Sequence, residues 1–458
     1  SSMRVVSWVV SSVFITMNFI ATNAIRTRAG GVFLLHLRGG KYRHWRQGCT
    51  FKSTTIAAMN NDLRLWFRLV PAYAAGYFLS YGLRSVNAVI APELMQELNI
   101  TAAGLGLLTS AYFLAFGLFQ LPLGLLLDRF GPRRVEAVLL LVAAAGCALF
   151  AVGTSLQALA VARALIGLGV SACLMASFKA FSQWFPSERQ PSLTATIMVA
   201  GGLGALTASV PVELALPLLG WRGVFLVVAA LLVVTAGSLL TVPDQEVAGQ
   251  RESIGQQLRS LGGIYGNRAF WRFAPQGSFT MGGFMAIQGL WAVPWLLEVN
   301  GVGRSDAAGV LFFMSLAMLL GFLFVATCSV WLGRKGISPM VLLTAGMGLA
   351  LVVELAIVLN LARPQWLWPL LGLSFSLGNI AYSQLTASFP VTLSGRVNTA
   401  LNLLVFIGAF GLQWGIGAAV DAFTSGGLAR SDAFRATFSA LLVLQVLSFA
   451  WFLKPVKT

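Results

Sequence analysis

Residues 124–135, GLLLDRFGPRRV, join two long apolar runs and decide the fold of this chain. Gly131 permits a tight turn, because glycine adopts backbone conformations that other residues adopt only under strain. Gly124 is expected to let two helices approach closely. Four charged side chains surround the turn: Asp128, Arg129, Arg133 and Arg134. We expect these charges to tie neighbouring helices together through ion pairs and helix-end interactions.

The composition is that of a membrane protein. Of the 458 residues, 57% are hydrophobic and 10% are charged, whereas soluble domains are about half apolar and about a quarter charged. The net charge of +16 does not indicate a nucleic-acid binder, because the basic residues stand singly between apolar runs and form no continuous basic face. The chain is therefore predicted to cross a lipid bilayer several times.

Twelve apolar runs match the roughly 20 residues that a helix needs to cross the bilayer. The first six spans are predicted at residues 67–92, 103–127, 135–153, 156–183, 190–214 and 222–242. The last six are predicted at residues 271–297, 305–331, 338–360, 365–388, 396–420 and 433–453. In the polar linker between these sets, Ile254, Leu258 and Leu261 have the spacing of one face of a short interfacial helix.

The predicted fold is all-α, with two six-helix bundles joined by a linker. The N-terminal bundle occupies residues 59–242, the cytoplasmic linker 243–270 and the C-terminal bundle 271–458. Short cytoplasmic loops are rich in Lys and Arg. One side of the predicted membrane domain carries sixteen of these residues and the other five. Both ends of the twelve-span core are therefore predicted to be cytoplasmic.

Residues 1–58 form a basic N-terminal extension with eight Lys or Arg and no acid. Within it, residues 5–25 are uncharged and long enough to span a bilayer, although their Ser, Thr and Asn content makes them a weak span. This segment fits a signal-like sequence, a thirteenth span or an upstream artefact. We favour an artefact, because the residues from Met59 onward resemble an ordinary start and the initial Ser-Ser resembles a tag remnant.

The loop at residues 124–135 resembles the signature loop of the major facilitator superfamily. ARALIGLGVSA, residues 162–172, resembles the fourth-helix motif of that family, and residues 321–336 resemble a degenerate second copy of the loop. The resemblance implies two related halves around a central cavity. It also implies a role in switching between inward-open and outward-open states for a set of loop and helix residues. These are Gly124, Asp128, Arg129, Gly131, Arg133, Arg134 and Arg163, the last being structural or gating.

Arg84 lies in the middle of the stretch YFLSYGLRSVNAVIAP, residues 77–92, which belongs to the first predicted span. A charge near the bilayer centre costs at least about 2.5 kcal/mol, so it normally faces a polar cavity or a partner. Tyr77, Tyr81 and Asn87 share its helix face. The spacing resembles the first helix of the organic-anion and organophosphate (anion:cation symporter-like) branches, in which the arginine binds a carboxylate or phosphate. The alternative is a structural arginine paired with a helix end or an acid such as Glu93.

Other polar side chains at helical spacing are candidates for the same substrate site. They are Tyr112, Gln120, Gln288, Trp291, Asn379, Tyr382 and Asn402. Residues 275–299 of the seventh helix, PQGSFTMGGFMAIQGLWAVPWLLEV, contain no arginine, whereas the organophosphate branch typically has a second arginine in this helix. This favours a singly charged organic acid such as a carboxylate-type metabolite. Amides within membrane helices also serve simply to hold helices together, so each residue alone is a weak indication.

The resemblance implies a secondary transporter working by alternating access in the inner (plasma) membrane, and we expect a monomer. The span at residues 67–92 has no acid and the fifth span has no Gly-Pro pair, which favours uptake over the alternative of drug or metabolite export. Glu354 in the ninth span fits a coupling-proton site or a contact with a neighbouring helix. We find no catalytic or metal-binding constellation, and the four cysteines stand apart, so we expect neither an enzyme nor a cofactor.

Overall fold

A computed structural model describes residues 48–186, 189–243, 261–390 and 393–454, and every regular element within these ranges is helical. The chain divides after Pro71 into two compact units. The first unit holds the beginning of the helix Gly48–Ser85, and the other helices and contacts described below belong to the second. The possible span at residues 5–25 and most of the proposed linker helix, with Ile254 and Leu258, lie outside the described residues.

The N-terminal half contains the first six spans. The first span consists of helices Gly48–Ser85 and Asn87–Leu98, the second of Ala102–Phe130 and the third of Pro132–Val152. The fourth span consists of Leu156–Val170 and Cys173–Trp184, and the fifth begins with Gln190–Thr207. The helical stretch Val210–Leu240 is interrupted at Gly220, which has φ 63°. Its residues before Gly220 complete the fifth span, and those after it form the sixth.

The C-terminal half contains the last six spans. The seventh alternates helices Arg268–Gln276, Gly282–Ala286 and Ala292–Glu298 with π-helical turns Gly277–Met281 and Ile287–Trp291. The eighth is Arg304–Arg334, the ninth Pro339–Val358, and the tenth Pro364–Gly378 with Ile380–Thr386. The eleventh is Ser394–Ser425 and the twelfth Arg430–Leu453. The first helix begins at Gly48, earlier than the predicted residue 67, because the polar residues before the span are also helical.

The helix ends follow from local chemistry. The Thr101 side chain accepts a hydrogen bond from the Gly104 N–H at the start of the second span, which satisfies one of the amides that have no partner within the helix. Ser155 and Ser338 do the same at the starts of the fourth and ninth spans. Gly131, with φ 79°, forms the turn between the second and third spans, as its sequence position predicted.

Within the described residues, eight helices are long and apolar enough to cross a membrane, judged by length and composition. The first, fifth, seventh and tenth spans make up the rest of the twelve, and each of them is divided by a helix interruption or a π-helical turn. These interruptions shorten the individual helices without removing the span. The predicted all-α, twelve-span layout is confirmed, and its two halves correspond to the first and last six spans.

The two halves meet chiefly along the second and eleventh spans and along the fifth and eighth. We call the span ends next to residues 124–135 the loop side and the other span ends the opposite side. On the opposite side, a Cβ atom added to Gly417 would lie 2.3 Å from the carbonyl oxygen of Ala102, so these backbones are in direct contact. Nearer the middle, a Cβ on Gly117 would lie 2.9 Å from Cβ of Phe406.

The expectation that Gly124 lets two helices approach closely is wrong for this conformation. A Cβ atom added there would meet nothing within 4 Å. Gly124 lies toward the loop side, beyond the region in which the second span contacts the eleventh, and its surface is exposed. Gly117 and Gly106 are the second-span glycines that permit close contact with the eleventh span.

Candidate functional site

Arg84 is buried at the last turn of the helix Gly48–Ser85, with 8% of its surface exposed. Its guanidinium carbon lies 4.8 Å from the ring centre of Tyr81. The ring centres of Phe116, on the second span, and Phe406, on the eleventh, lie at 5.3 and 5.2 Å. Three aromatic faces from both halves thus surround the cation, and their negative faces attract it without neutralising it.

Arg84 has no acidic partner among the residues that the structure describes. The nearby acid Glu93, the alternative partner, forms an ion pair with Arg304. The Nε atom of Arg84 is buried and makes no hydrogen bond to any described residue. A guanidinium that is desolvated but not neutralised is costly, and an anion that enters the site would supply the missing charge and hydrogen bonds.

Tyrosine hydroxyls complete the polar part of this cluster. The hydroxyls of Tyr81 and Tyr112 lie within hydrogen-bonding reach of the Arg84 guanidinium. Tyr112 also donates to the carbonyl oxygen of Ser80 at 3.2 Å. Tyr382 on the tenth span donates to Oδ1 of Asn402 at 2.9 Å, which joins two of the predicted residues. Tyr77 is buried beside Tyr81, with the ring centres 6.0 Å apart.

The seventh span contributes an amide and an indole from its second π-helical turn. Gln288 Nε2 donates to Ser315 Oγ on the eighth span at 3.3 Å. Trp291 Nε1 donates to the carbonyl oxygen of Gln413 at 2.9 Å. A π-helical turn adds a residue to the helix repeat and therefore re-aims the side chains that follow. Both side chains are fully buried, so they hold the seventh span against its neighbours.

Two of the sequence candidates donate to backbone carbonyl oxygens away from Arg84, and a third has a buried amide oxygen without a described partner. Gln120 donates from Nε2 to the carbonyl oxygen of Ser171, across to the fourth span, at 3.2 Å. Asn379 donates to the Phe375 carbonyl oxygen of its own span at 3.3 Å. Asn87 is buried just after the interruption of the first span, and its Oδ1 makes no hydrogen bond to a described residue. Gln120 and Asn379 thus stabilise helices, as amides in membrane helices often do.

Several residues at the site were not singled out from the sequence. Phe116 and Phe406 stack with ring centres 4.0 Å apart beneath Arg84, and Met318 accepts a 3.6 Å hydrogen bond from the Tyr81 hydroxyl. Thr109 accepts a 2.7 Å hydrogen bond from Gln413 across the two halves. The chain contains 32 phenylalanines, so aromatic residues in apolar spans give no signal that separates these two from the rest.

The signature loop makes the kind of contact that its sequence predicted. Asp128 at the end of the second span forms an ion pair with Lys179 near the end of the fourth. The Arg133 Nη1 atom donates to the carbonyl oxygen of Val242 at the end of the sixth span. Arg129 lies over the ring of Phe130 at 5.3 Å, and Arg134 is exposed. The loop therefore connects the loop-side ends of the second, fourth and sixth spans.

Arg163, in the fourth span, is completely buried and lies behind Arg84. Its Nη1 atom donates to the carbonyl oxygen of Leu83 at 3.3 Å. Its guanidinium carbon lies 4.5 Å from the ring centre of Phe150 and 4.9 Å from that of Phe225. Since Leu83 directly precedes Arg84, Arg163 fixes the backbone that carries the candidate anion-binding group.

The opposite side is held together by charged contacts between the halves. Arg304, at the start of the eighth span, forms ion pairs with Glu93 and Glu213 of the N-terminal half. The Asp421 carboxylate accepts hydrogen bonds from the Ala102 and Ala103 N–H groups at 3.2 and 2.7 Å. A carboxylate at a helix N-terminus is stabilised by the helix dipole as well as by these bonds. We call Arg304, Glu93, Glu213 and Asp421 the opposite-side clasp.

Glu97, in the last turn of the helix Asn87–Leu98 and past the apolar residues 67–92, belongs to a separate contact within the N-terminal half. Partial burial disfavours its ionised form, but hydrogen bonds from Trp221 and Arg222 outweigh that effect and lower the pKa of the Glu97 carboxyl group. The Trp221 Nε1 atom donates to Glu97 at 2.7 Å. This contact holds the end of the first span against the start of the sixth.

Among the described residues, no group of three His, Cys, Asp or Glu side chains could hold a metal ion.

Comparison with known proteins gives a family match and named relatives. Residues 73–412 match the model of the Major Facilitator Superfamily. The chain is 25% identical over 408 residues to a hexuronate transporter of Escherichia coli K12, an alignment that covers 83% of this chain and 91% of the relative. It is 29% identical over 171 residues to a galacturonate transporter of Dickeya chrysanthemi, covering 37% of this chain and 49% of the relative.

Among solved structures, the chain resembles a D-xylose-proton symporter with a TM-score of 0.69 and 15% sequence identity. The match covers 86% of this chain and 98% of the symporter. At this identity the likeness concerns the fold alone. It agrees with the division of the spans into two six-helix halves.

Proposed function

This chain belongs to the Major Facilitator Superfamily, and we propose that it is a secondary transporter that takes up a small organic anion. The observation that carries the proposal is the buried Arg84 guanidinium, which has aromatic and tyrosine neighbours but no acidic partner among the described residues. Arg84 is the proposed anchor for a carboxylate, because a planar guanidinium can donate two parallel hydrogen bonds to the two carboxylate oxygens.

The substrate class is a hydroxylated carboxylate of the sugar-acid type. The names of the hexuronate and galacturonate transporters support this choice. The chemistry of the site supports it as well. One arginine matches one carboxylate, while the hydroxyls of Tyr81, Tyr112 and Tyr382 can exchange hydrogen bonds with hydroxyl groups of the substrate. Phe116 and Phe406 supply apolar faces for the carbon skeleton.

The proposed mechanism is alternating access about this site. The clasp and the Gly417–Ala102 contact hold the opposite side together, whereas the second span makes no such close contact at Gly124, nearer the loop side. Positive charge is concentrated on the loop side, which we assign to the cytoplasm of a bacterial-type inner membrane. This conformation would then be closed to the outside, and substrate entry would require the clasp to open. The loop with Asp128, Arg129, Arg133 and Arg134 would close the cytoplasmic side in the alternate state.

Substrate exchange in proteoliposomes tests the proposal. Liposomes containing the purified protein are loaded with unlabelled D-galacturonate, and entry of external labelled D-galacturonate is followed. We expect exchange by the wild type, competition by other hexuronates and no competition by the uncharged sugar D-galactose. Arg84→Ala should abolish exchange, and Arg435→Ala, which removes an exposed arginine, should retain it.

Exchange that survives Arg84→Ala would contradict the anion anchor. If the wild type exchanges no carboxylate and instead lowers the accumulation of organic cations in cells, the protein is an exporter of the same superfamily. An anion transporter and an exporter of organic cations differ in the charge of the substrate and in the effect of Arg84→Ala, so the same series of assays distinguishes them.

A further inference from the structure

A cavity inside the C-terminal half contains a buried carboxyl group that the anion site does not use. The cavity lies among the seventh, ninth, tenth and twelfth spans. Glu354 of the ninth span lines it, with only 3% of its surface exposed. The other polar residues of the lining are Gln276, Thr280, Ser374 and Gln445. Glu354 is the one titratable residue of the lining.

No described cation is placed to neutralise Glu354. On the tenth span, the hydroxyl of Tyr382 is engaged with Asn402. On the twelfth, Asp432 and Arg435 are exposed residues of its first two turns. On the seventh, Arg272 donates to the carbonyl oxygen of Phe452 at 2.8 Å. An ionised carboxylate in this surrounding would be a buried charge without a counter-charge, which proteins avoid by taking up a proton.

Two buried acceptor oxygens near each other, one of Glu354 and one of Gln445, have no hydrogen-bond donor among the described residues. Gln445 of the twelfth span lies within hydrogen-bonding reach of the Glu354 carboxyl group. The Gln445 Nε2 atom donates to the carbonyl oxygen of Phe279 at 3.3 Å. Glu354 Oε1 and Gln445 Oε1 are both buried acceptors without a hydrogen bond to a described residue. A proton on Glu354 would convert one acceptor into a donor to the other and remove an unsatisfied pair.

We propose that Glu354 and Gln445 form a proton-binding site, occupied in this conformation, that couples transport to the movement of a proton. The site lies within one half of the protein and is built by residues other than those around Arg84. The proton adds to a Glu354 carboxylate oxygen and forms a hydrogen bond to Gln445 Oε1. Release returns it to water, so no other reactant is needed. The coupling part of this proposal rests on the proposed function, whereas proton binding does not.

The seventh span connects this site with the anion site. Phe279, which accepts the hydrogen bond from Gln445, lies in the first π-helical turn. Gln288 and Trp291 of the second π-helical turn pack against the spans that surround Arg84. Gln276 and Thr280 bond to each other at 2.8 Å, and Ser448 donates to Gln276 at 3.0 Å. Ionised Glu354 requires water or another donor, so loss of the proton would favour a conformation in which these spans separate.

Infrared spectroscopy tests proton binding without any substrate. The protein in lipid is titrated from neutral to alkaline pH, and the C=O stretching band of protonated carboxyl groups is recorded. The difference between wild type and Glu354→Gln should contain such a band at neutral pH, and the band should disappear at alkaline pH. Gln445→Leu should shift it, because the acceptor is lost. Absence of the band from this difference would overturn the proton site, and an unshifted band would remove Gln445 from it.

Transport in proteoliposomes tests coupling. With D-galacturonate as the probe, Glu354→Gln should exchange substrate at the wild-type level but lose accumulation driven by a pH gradient, since the amide mimics a permanently protonated acid. Glu136→Gln, which alters a fully buried acid of the N-terminal half, should retain accumulation. Unchanged accumulation in Glu354→Gln, or loss in Glu136→Gln alone, would overturn coupling at Glu354. If the wild type exchanges no substrate, the proposed function fails, and the infrared result still decides whether Glu354 binds a proton.

Discussion

Burial of Arg84 costs free energy, because a charged group loses its water and gains no acidic partner among the described residues. The guanidinium is taken out of water, and its aromatic neighbours at 4.8 to 5.3 Å compensate part of that cost. Arg163 behaves differently, since it donates to the Leu83 carbonyl oxygen and lies between two rings on the far side of the first span. Arg84 thus lies at the interface between the halves, whereas Arg163 contacts the backbone next to Arg84 from within the N-terminal half.

Arg84→Lys separates charge from geometry at the anion site. Lysine keeps the positive charge but cannot donate two parallel hydrogen bonds to a carboxylate. Loss of one hydrogen bond to a charged group corresponds to about 1.5–3 kcal/mol, or roughly a tenfold to hundredfold loss of affinity. The half-saturating concentration of D-galacturonate in exchange assays measures this change. Wild-type affinity in Arg84→Lys would show that paired hydrogen bonds are not used.

Ionised Glu97 stabilises the folded state by an amount that depends on pH. Because the pKa of the Glu97 carboxyl group is lowered in the folded state, this stabilisation is fully present above the ordinary pKa range of Glu. It is lost as the pH falls through the folded-state pKa. Glu97→Gln should therefore lower the thermal midpoint at neutral pH, and the difference from the wild type should shrink in acid. Both partners of the Glu97–Arg222 pair are partly exposed, so the effect should be at most about 1 kcal/mol. A difference that grows in acid would contradict this assignment.

At the scale of helices, backbone contact between the second and eleventh spans closes the opposite side. Gly417 and Gly106 allow this contact, because an added Cβ at either position would overlap the partner backbone. Toward the loop side, the same two spans provide no such contact at Gly124. Gly417 and Gly106 thus serve close packing in this conformation, whereas Gly124 does not.

Gly417→Ala should destabilise this conformation. The added Cβ would lie 2.3 Å from the Ala102 carbonyl oxygen, and overpacking of this kind costs typically about 1–3 kcal/mol. Gly411→Ala on the same span is the matched control, since nothing lies within 4 Å of its added Cβ and alanine favours a helix. Thermal unfolding in detergent should show a lower midpoint for Gly417→Ala only. Equal midpoints would contradict the close contact.

The spans could be predicted from the sequence because a bilayer demands a length and an apolar composition that few other folds share. The π-helical turns of the seventh span could not, since Ile287–Trp291 has no local signal that separates it from an ordinary helix. Arg84 is recognisable from the sequence because a charge in an apolar run is conspicuous. Phe116 and Phe406 are not, because only tertiary packing distinguishes them from other aromatic residues. The loop context of Gly124 predicts close packing, but whether the contact forms depends on the conformation.

At the scale of the whole molecule, the charged clasp should set the balance between two conformations. Arg304 bonds to Glu93 and Glu213 across the halves, so Arg304→Ala should shift the population toward opening of the opposite side. Spin labels at Leu219 and Leu361, both exposed on that side, would report the change as longer distances in a cysteine-free background. Arg363→Ala, an exposed arginine of the same side, is the control. An unchanged distance distribution in Arg304→Ala would show that the clasp does not hold the halves together.

Thermal unfolding of the purified protein with a panel of small anions tests directly whether Arg84 binds an anion. The panel contains carboxylates, sulfonates and phosphate esters, and Arg84→Ala is measured in parallel. A ligand that binds only the folded state raises the midpoint. We expect sugar-acid carboxylates to raise the midpoint of the wild type and to leave that of Arg84→Ala unchanged. No shift with any anion, or equal shifts in both proteins, would contradict an anion site at Arg84.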